Sequence, residues 1–190
     1  MQKTICVFCS SSSAVDDVYF EAARNLGKAI AGQGWGLVYG GSDVGLMGAV
    51  ARAVHLHGGT VVGIIPQTIH ARGIAYETAD ELLITKDLRE RKAEMERRAD
   101  AFIAMPGGFG TLEEIVEVLT LKQLQTHAKP ILFLNTNGFY DPLITLFEHY
   151  YQQQFAKPDT RKLYHVSPHV EDAVDYILTY QEPFIESKWF

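Results

Sequence analysis

The chain has 190 residues, 47% of them hydrophobic and 21% charged, with a formal net charge of −6. This size and apolar content suit one domain with a sizeable core and exclude a disordered chain. The acidic balance argues against nucleic-acid or anionic-membrane binding, and no apolar run reaches the ~18 residues of a membrane span.

In chain order, strand-like and helix-like runs alternate. Thr4–Phe8 reads as the first strand; its apolar run is too short for a signal peptide, so the chain is expected to be cytoplasmic. Cys6 and Cys9 form a C-x-x-C. Cys6 lies inside the strand rather than at a helix start, and two cysteines do not complete a zinc site, so small buried residues are the better reading. Val18–Ala31 is helical, with Phe20, Ala23, Leu26 and Ile30 on one stripe. Trp35–Tyr39 is a strand ending in Gly40-Gly41, Gly45–His57 a small-residue helix, and Thr60–Ile65 a strand stopped by Pro66. Residues 67–80 read as irregular and Leu82–Thr85 as a short strand. Asp87–Ala99 is a helix with a capping box of Asp87 and Glu90. Ala101–Met105 is a strand, Leu112–Gln125 a helix and Pro130–Leu134 a strand. Asp141–Gln153 is a helix with Pro142 at its first position, Tyr164–Val166 a short last strand, and Val170–Tyr180 the last helix before a tail ending Lys188-Trp189-Phe190.

This alternation predicts a single α/β domain over residues 1–190: a Rossmann-like, doubly wound, mostly parallel sheet with helices on both faces. Ligands in such sheets bind beyond the carboxyl ends of the strands. Three segments fall there: Cys9–Ser13, Gly40–Gly48 and Pro106–Glu114.

The third carries the most chemistry. Met105-Pro106-Gly107-Gly108-Phe109-Gly110-Thr111 joins a buried strand to a helix through glycines, a backbone that can aim several N–H groups at one anion, with the helix dipole adding to the field. Glu114, one turn on, has two readings. Thr111 and Glu114 fit a capping box, in which the carboxylate only satisfies the Thr111 N–H, or Glu114 does chemistry beside a bound phosphate. Glu113 and Glu117 compete for that role.

Gly40–Gly48 is glycine-rich but is not the dinucleotide fingerprint, which belongs after the first strand with an acid ending the next one. No Gly-Lys-Ser/Thr is present, which argues against a Walker-type ATPase. Ser10–Ser13 suit either a helix-capping turn or hydroxyl donors to a ligand. The basic helix places Arg91, Met95 and Arg98 on one stripe. Its charges suit either local pairs (Asp87/Arg91, Glu94/Arg97, Glu94/Arg98) or a forked arginine grip on a phosphate or base. The histidines, among them His55, His57, His70 and His127, show no metal-ligand spacing, so no metal is expected.

Pro106-Gly107-Gly108-Phe109-Gly110-Thr111-Leu112-Glu113-Glu114 resembles the P-G-G-x-G-T-x-x-E signature of the Lonely Guy (LOG) family. Arg91-Lys92-Ala93-Glu94-Met95 resembles the R-K-x-x-M element of the same family, and Tyr39-Gly40-Gly41 and Gly45-Leu46-Met47-Gly48 fit as well. The resemblance runs from Ile5 to about Phe147. It implies a phosphoribohydrolase that cleaves the N-glycosidic bond of cytokinin riboside 5′-monophosphates, or of AMP, giving free base and ribose 5-phosphate. By motif, Arg91 and Glu114 match the catalytic pair. Lys92, Gly108, Phe109, Gly110, Thr111, Leu112, Glu113 and Thr120 match substrate-contacting positions. Gly107, Gly41, Ser10, Met95 and Arg98 are added as candidates from their places in the loops and on the stripe. The family implies a homodimer with active sites near the interface, and no cofactor. The older label of such proteins as lysine decarboxylases is discounted, because no lysine sits in a recognisable pyridoxal-phosphate context. Ser10, Ser42 and Leu88-Arg89-Glu90 depart from the family pattern, and a substrate-contacting glutamate expected in residues 67–80 has no clear counterpart. The alternative is a carrier for a phosphate-bearing ligand such as molybdenum cofactor, which needs anion donors but not a carboxylate under a sugar.

Overall fold

β-Branched and small apolar residues run through short strands, and longer stretches between them carry helical stripes; together they build a layered α/β domain. The architecture comes from a computed structural model that describes residues 2–185. The strands are β1 (Thr4–Phe8), β2 (Gly36–Tyr39), β3 (Thr60–Pro66), β4 (Glu81–Thr85), β5 (Ala101–Ala104), β6 (Ile131–Leu134) and β7 (His165–Ser167). The helices are α1 (Asp17–Gly32), α2 (Gly45–Leu56), the short α3 (Gln67–His70), α4 (Leu88–Arg98), α5 (Phe109–Gln123), α6 (Asp141–Gln152) and α7 (Val170–Thr179). All strands pair in parallel in the order β4-β3-β2-β1-β5-β6-β7.

Period-two alternation along the central strands sends side chains to two cores. Ile5 and Val7 of β1 join α1, α2 and α7 on one face; Cys6 and Phe8 join α4, α5 and α6 on the other. Phe102 and Phe133 are fully buried in the second core, and each such aromatic contributes ~1.5–3 kcal/mol by leaving water. The chain winds outward through β2, β3 and β4 and then returns to set β5 beside β1. That reversal opens a crevice at the carboxyl ends of β1 and β5, where the Ser10 N–H donates to Pro106 O at 3.3 Å.

Several expected boundaries move. The helix expected at Leu112 begins at Phe109, with Gly108 as its N-cap, and ends at Gln123 rather than Gln125. β3 runs through Pro66, whose missing N–H does no harm at the last pair of the ladder, Pro66 with Thr85. β4 starts one residue earlier, at Glu81, and the last strand is His165–Ser167 rather than Tyr164–Val166. Residues 67–80 are not wholly irregular: they contain α3 and then lay residues 74–76 over the loop after β2. The capping box of α4 is displaced by one residue. Asp87 accepts from the N–H groups of Arg89 and Glu90, but Glu90 reaches back to the N–H of Lys86. The tail Lys188–Phe190 lies outside the described residues.

Candidate active site

α4 follows β4 and α5 follows β5, so both helices start at the carboxyl edge of the sheet. Arg91 in the first turn of α4 and Glu114 in the second turn of α5 therefore meet above the ends of β1 and β2. Arg91 Nη2 donates to Glu114 Oε1, and the two side chains are 12% and 9% exposed. This geometry overturns two local readings. Glu114 does not cap α5, because the helix starts before Thr111; and Arg91 does not pair with Asp87, because its side chain turns inward to Glu114.

Burial pushes the Glu114 carboxyl above its ordinary range, while the Arg91 guanidinium pulls it back down. Burial first, and the Glu114 carboxylate second, push the Cys6 and Cys9 thiols up. Both cysteines are buried free thiols beneath the site. Arg91 Nε is buried without a protein acceptor, so the guanidinium presents a donor that the fold does not use. Such an orphan costs ~1–3 kcal/mol unless a ligand takes it up.

Lys92 Nζ donates to Glu113 and to Glu117, the latter at 2.9 Å. Burial alone would lower the Lys92 ammonium; the two carboxylates outweigh it and hold it above the ordinary lysine range. Glu113 and Glu117 are thus engaged outside the buried pair.

The glycines divide sharply. A Cβ on Gly107 would stand 2.6 Å from Thr111 Cβ, so Gly107 is bare to let the buried Thr111 pack beneath it. Gly108 and Gly110 have no protein atom within 4 Å of where a Cβ would stand. Their bareness is not demanded by packing; it leaves the N-terminus of α5 open to an approaching group. Beside it lies a cleft of about 270 Å³ walled by Ser10, Tyr19, Leu46, Gly107, Gly108 and Phe139. Ser10 Oγ accepts the Ser12 N–H at 3.0 Å, and Ser12 Oγ accepts that of Ala14 at 3.2 Å, so these serines shape their own turn while Asp16 precedes α1 as N-cap. Phe109 is 93% exposed at the mouth, and Leu112 is exposed on the same helix.

Gly41 sits below the pair with φ of +75°, crossing β3 so closely that a Cβ would lie 3.0 Å from Ile65 Cβ. Gly40, noted in the sequence only as part of a motif, has a direct part: a Cβ there would stand 3.3 Å from Arg91 Nη1 and 3.0 Å from Met47 Sδ. The guanidinium lies on its bare backbone. Tyr19 and Phe139, edge to face at 6.0 Å, were also missed, since they come from segments far apart in sequence.

Three candidates do not converge on the site. Met95 is buried in the core of the α4/α5 face. Arg98, at the far end of α4, pairs with Glu81 at the amino end of β4 and with Glu94. The expected stripe is real, but the helix carries its members from one edge of the sheet to the other. Thr120 lies on the outer face of α5, where its hydroxyl donates to Val116 O at 2.8 Å.

The family described as "Possible lysine decarboxylase" matches residues 47–177. A cytokinin riboside 5′-monophosphate phosphoribohydrolase of Arabidopsis thaliana is 45% identical over 97% of this chain and 85% of its own length. The chain belongs to the LOG family. A second Arabidopsis thaliana phosphoribohydrolase of the same name is 43% identical over 94% of this chain and 78% of its own length. A probable one from Oryza sativa subsp. japonica is 42% identical over 94% and 73%. Among solved structures, the molybdenum cofactor binding protein of Rippkaea orientalis has a TM-score of 0.72 at 21% identity, covering 94% of this chain and 97% of that one. That likeness is one of fold: a seven-stranded parallel sheet with helices around it. No helix among the described residues of this LOG-family chain is long and apolar enough to cross a membrane.

Proposed function

We propose that the protein hydrolyses the N-glycosidic bond of adenosine 5′-monophosphates, including N6-substituted ones, to free base and ribose 5-phosphate. The observation that carries this reading is the buried Arg91–Glu114 pair beside the open, glycine-capped start of α5. The 5′-phosphate docks on the N–H groups of Gly108 to Thr111 and the positive end of α5. That anchor fixes the ribose over Glu114, so phosphate binding energy is converted into orientation.

Cleavage moves the bonding electrons of the C1′–N bond onto the base and leaves oxocarbenium character on the ribose. Glu114 faces that positive charge and orients the attacking water, taking its proton, which then passes through solvent to the departed anionic base so that the carboxylate is regenerated; a carboxylate raised by burial is a better base for the task than a solvated one. Arg91 remains protonated and acts on the departing base by charge and hydrogen bonding. Lys92, locked between Glu113 and Glu117, braces α4 against α5 and so fixes the two helices that carry the pair.

The same reading includes a homodimer in the cytoplasm, with the site near the subunit interface. Phe109, Leu112 and Val116 expose an apolar stripe along α5, and Thr120 on that outer face reaches substrate only across such an interface. The two free thiols suit a reducing compartment. A carrier of a phosphate-bearing ligand would use the donors of α5 but has no use for a buried carboxylate beside an arginine.

The deciding experiment is a chromatographic panel of nucleoside 5′-monophosphates scored for released base, with Glu114→Gln beside the native enzyme. We expect adenine release from AMP, and loss of ~10²-fold or more in kcat for the variant. Near-native turnover by Glu114→Gln would overturn the assignment.

A further inference from the structure

The loop on which the Arg91 guanidinium lies is clamped at its far end, where Arg52 Nη1 pairs with the Asp43 carboxylate and donates to Asp43 O at 3.3 Å, but its start has little of its own to hold it. Gly40 and Gly41 carry no side chains, and Ser42 is buried beneath a cover made by residues 74–76. The cover is held by backbone contacts: the Asp43 N–H donates to Ile74 O at 2.8 Å, the Tyr76 N–H donates to Gly41 O at 2.9 Å, and Ser42 bridges to Ala75. Ile74, Ala75 and Tyr76 are each only partly buried, so apolar packing does not pin the cover by itself.

Three side chains outside the site do. His55, near the end of α2, has its Nδ1 2.8 Å from the Tyr76 hydroxyl and its Nε2 2.9 Å from Asp80 Oδ2, with the His55 and Tyr76 rings 5.3 Å apart. Asp80 Oδ2 also accepts the Val61 N–H at 2.7 Å, at the start of β3. That backbone N–H first, and His55 second, hold the Asp80 carboxyl below its ordinary range. An ionised Asp80 only accepts, so in neutral His55 the proton sits on Nε2, and Nδ1 accepts from the Tyr76 hydroxyl. Both arms of the network, Val61 to Asp80 and Tyr76 through His55 to Asp80, donate toward the Asp80 carboxylate and tie the cover to both β3 and α2.

We infer that Tyr76, His55 and Asp80 are positioning residues for the reaction, acting through the Gly40–Asp43 loop to hold Arg91 against the leaving base. The inference rests on the hydrolase reading above. Its signature is selective. The phosphate anchor is on α5, which the chain does not touch, so substrate binding stays while assistance to the leaving group weakens.

The test compares AMP, whose adenine needs that assistance, with 4-nitrophenyl riboside 5′-phosphate, whose nitrophenolate leaves without it, in Tyr76→Phe and His55→Gln. We expect kcat on AMP to fall about 5- to 10-fold with KM changed less than about 2-fold, and turnover of the nitrophenyl substrate to fall less than about 2-fold. Amide exchange at Asp43 and Tyr76 should quicken in both variants while exchange at the start of α5 does not. Equal loss on the two substrates would mean a smaller folded fraction, and no loss on either would mean a chain without consequence; both overturn the inference. Failure of the native enzyme to release adenine from AMP would instead overturn the hydrolase reading.

Discussion

Lys122 is charged at neutral pH in a place that penalises the charge. It lies on α5, the helix that carries Glu114, with its side chain buried. Its Nζ donates to Leu163 O at 2.9 Å and sits 5.0 Å from the centre of the Tyr180 ring. Burial lowers the ammonium from an ordinary 10.5 to about 8, with Glu182 pulling weakly the other way. The unfolded chain keeps this proton up to the ordinary value. Between about pH 8 and 10.5 the unfolded state therefore holds more protons than the folded one, and stability rises with pH; below about pH 8 both states are protonated and the slope vanishes. From about pH 8 to about 9.5 the gain is ~2 kcal/mol, at 1.36 kcal/mol per unit. Buried tyrosines act in the opposite sense at higher pH, since their hydroxyls are held above the ordinary range in the fold, so the measurement stops there. Lys122→Met removes the titrating group at similar length. It leaves Leu163 O without its donor, a cost of ~1–3 kcal/mol that does not vary with pH and so cancels from the slope. Urea unfolding followed by circular dichroism between about pH 7 and 9.5 gives both curves. The native protein should gain ~2 kcal/mol relative to the variant across the window. Parallel curves would refute the placement of a penalised charge at Lys122.

The paired glycines of the α5 loop should separate packing from binding. Gly107→Ala drives a Cβ to 2.6 Å from Thr111 Cβ and should destabilise by ~3 kcal/mol or more, read as loss of soluble protein or a lower urea midpoint. Gly108→Ala meets no protein atom, and should cost ~1 kcal/mol or less as a poorer N-cap while raising KM for AMP about 10-fold, since its Cβ enters the space left for the phosphate. Gly40→Ala meets only the flexible ends of Met47 and Arg91, so the fold should survive with kcat reduced about 10-fold. Adenosine should be turned over at least ~10²-fold less well than AMP in kcat/KM, because it lacks the anchor on α5; equal rates would remove the phosphate from the mechanism.

Periodicity made most of the fold legible, because strands buried on both faces and helices buried on one have different hydrophobic rhythms. The shifts came where one backbone competes with another. The N-terminus of α5 was placed at Leu112 because Thr111 and Glu114 fit a local cap, and a local rule has no knowledge of an arginine on another helix. What decided the matter was a contact between residues 23 apart in sequence, Arg91 and Glu114. The motif pair signalled it; spacing by itself did not. Likewise Arg91, Met95 and Arg98 do share a stripe, but a stripe two turns long runs from the carboxyl edge of the sheet to the amino edge. Sequence registers that they face the same way, while only the sheet shows that one end touches the site and the other Glu81.

Residues 67–80 were the least legible segment for the same physical reason. Their order is not a repeat of their own but borrowed from partners, through Gly41, Asp43, His55 and Val61. Beyond the single turn of α3, a segment tied so largely to other elements has little period to read. Yet it is this segment that closes over the one loop bare enough to let an arginine lie on it. Glycine at position 40 admits the guanidinium but cannot hold it there; rigidity comes from outside the loop, from Arg52 on Asp43 and from the network between Val61 and Tyr76. On the proposed reading the Arg91–Glu114 pair and the glycine cradle need this outside support, so substitutions more than one contact removed from substrate should alter how well the base leaves.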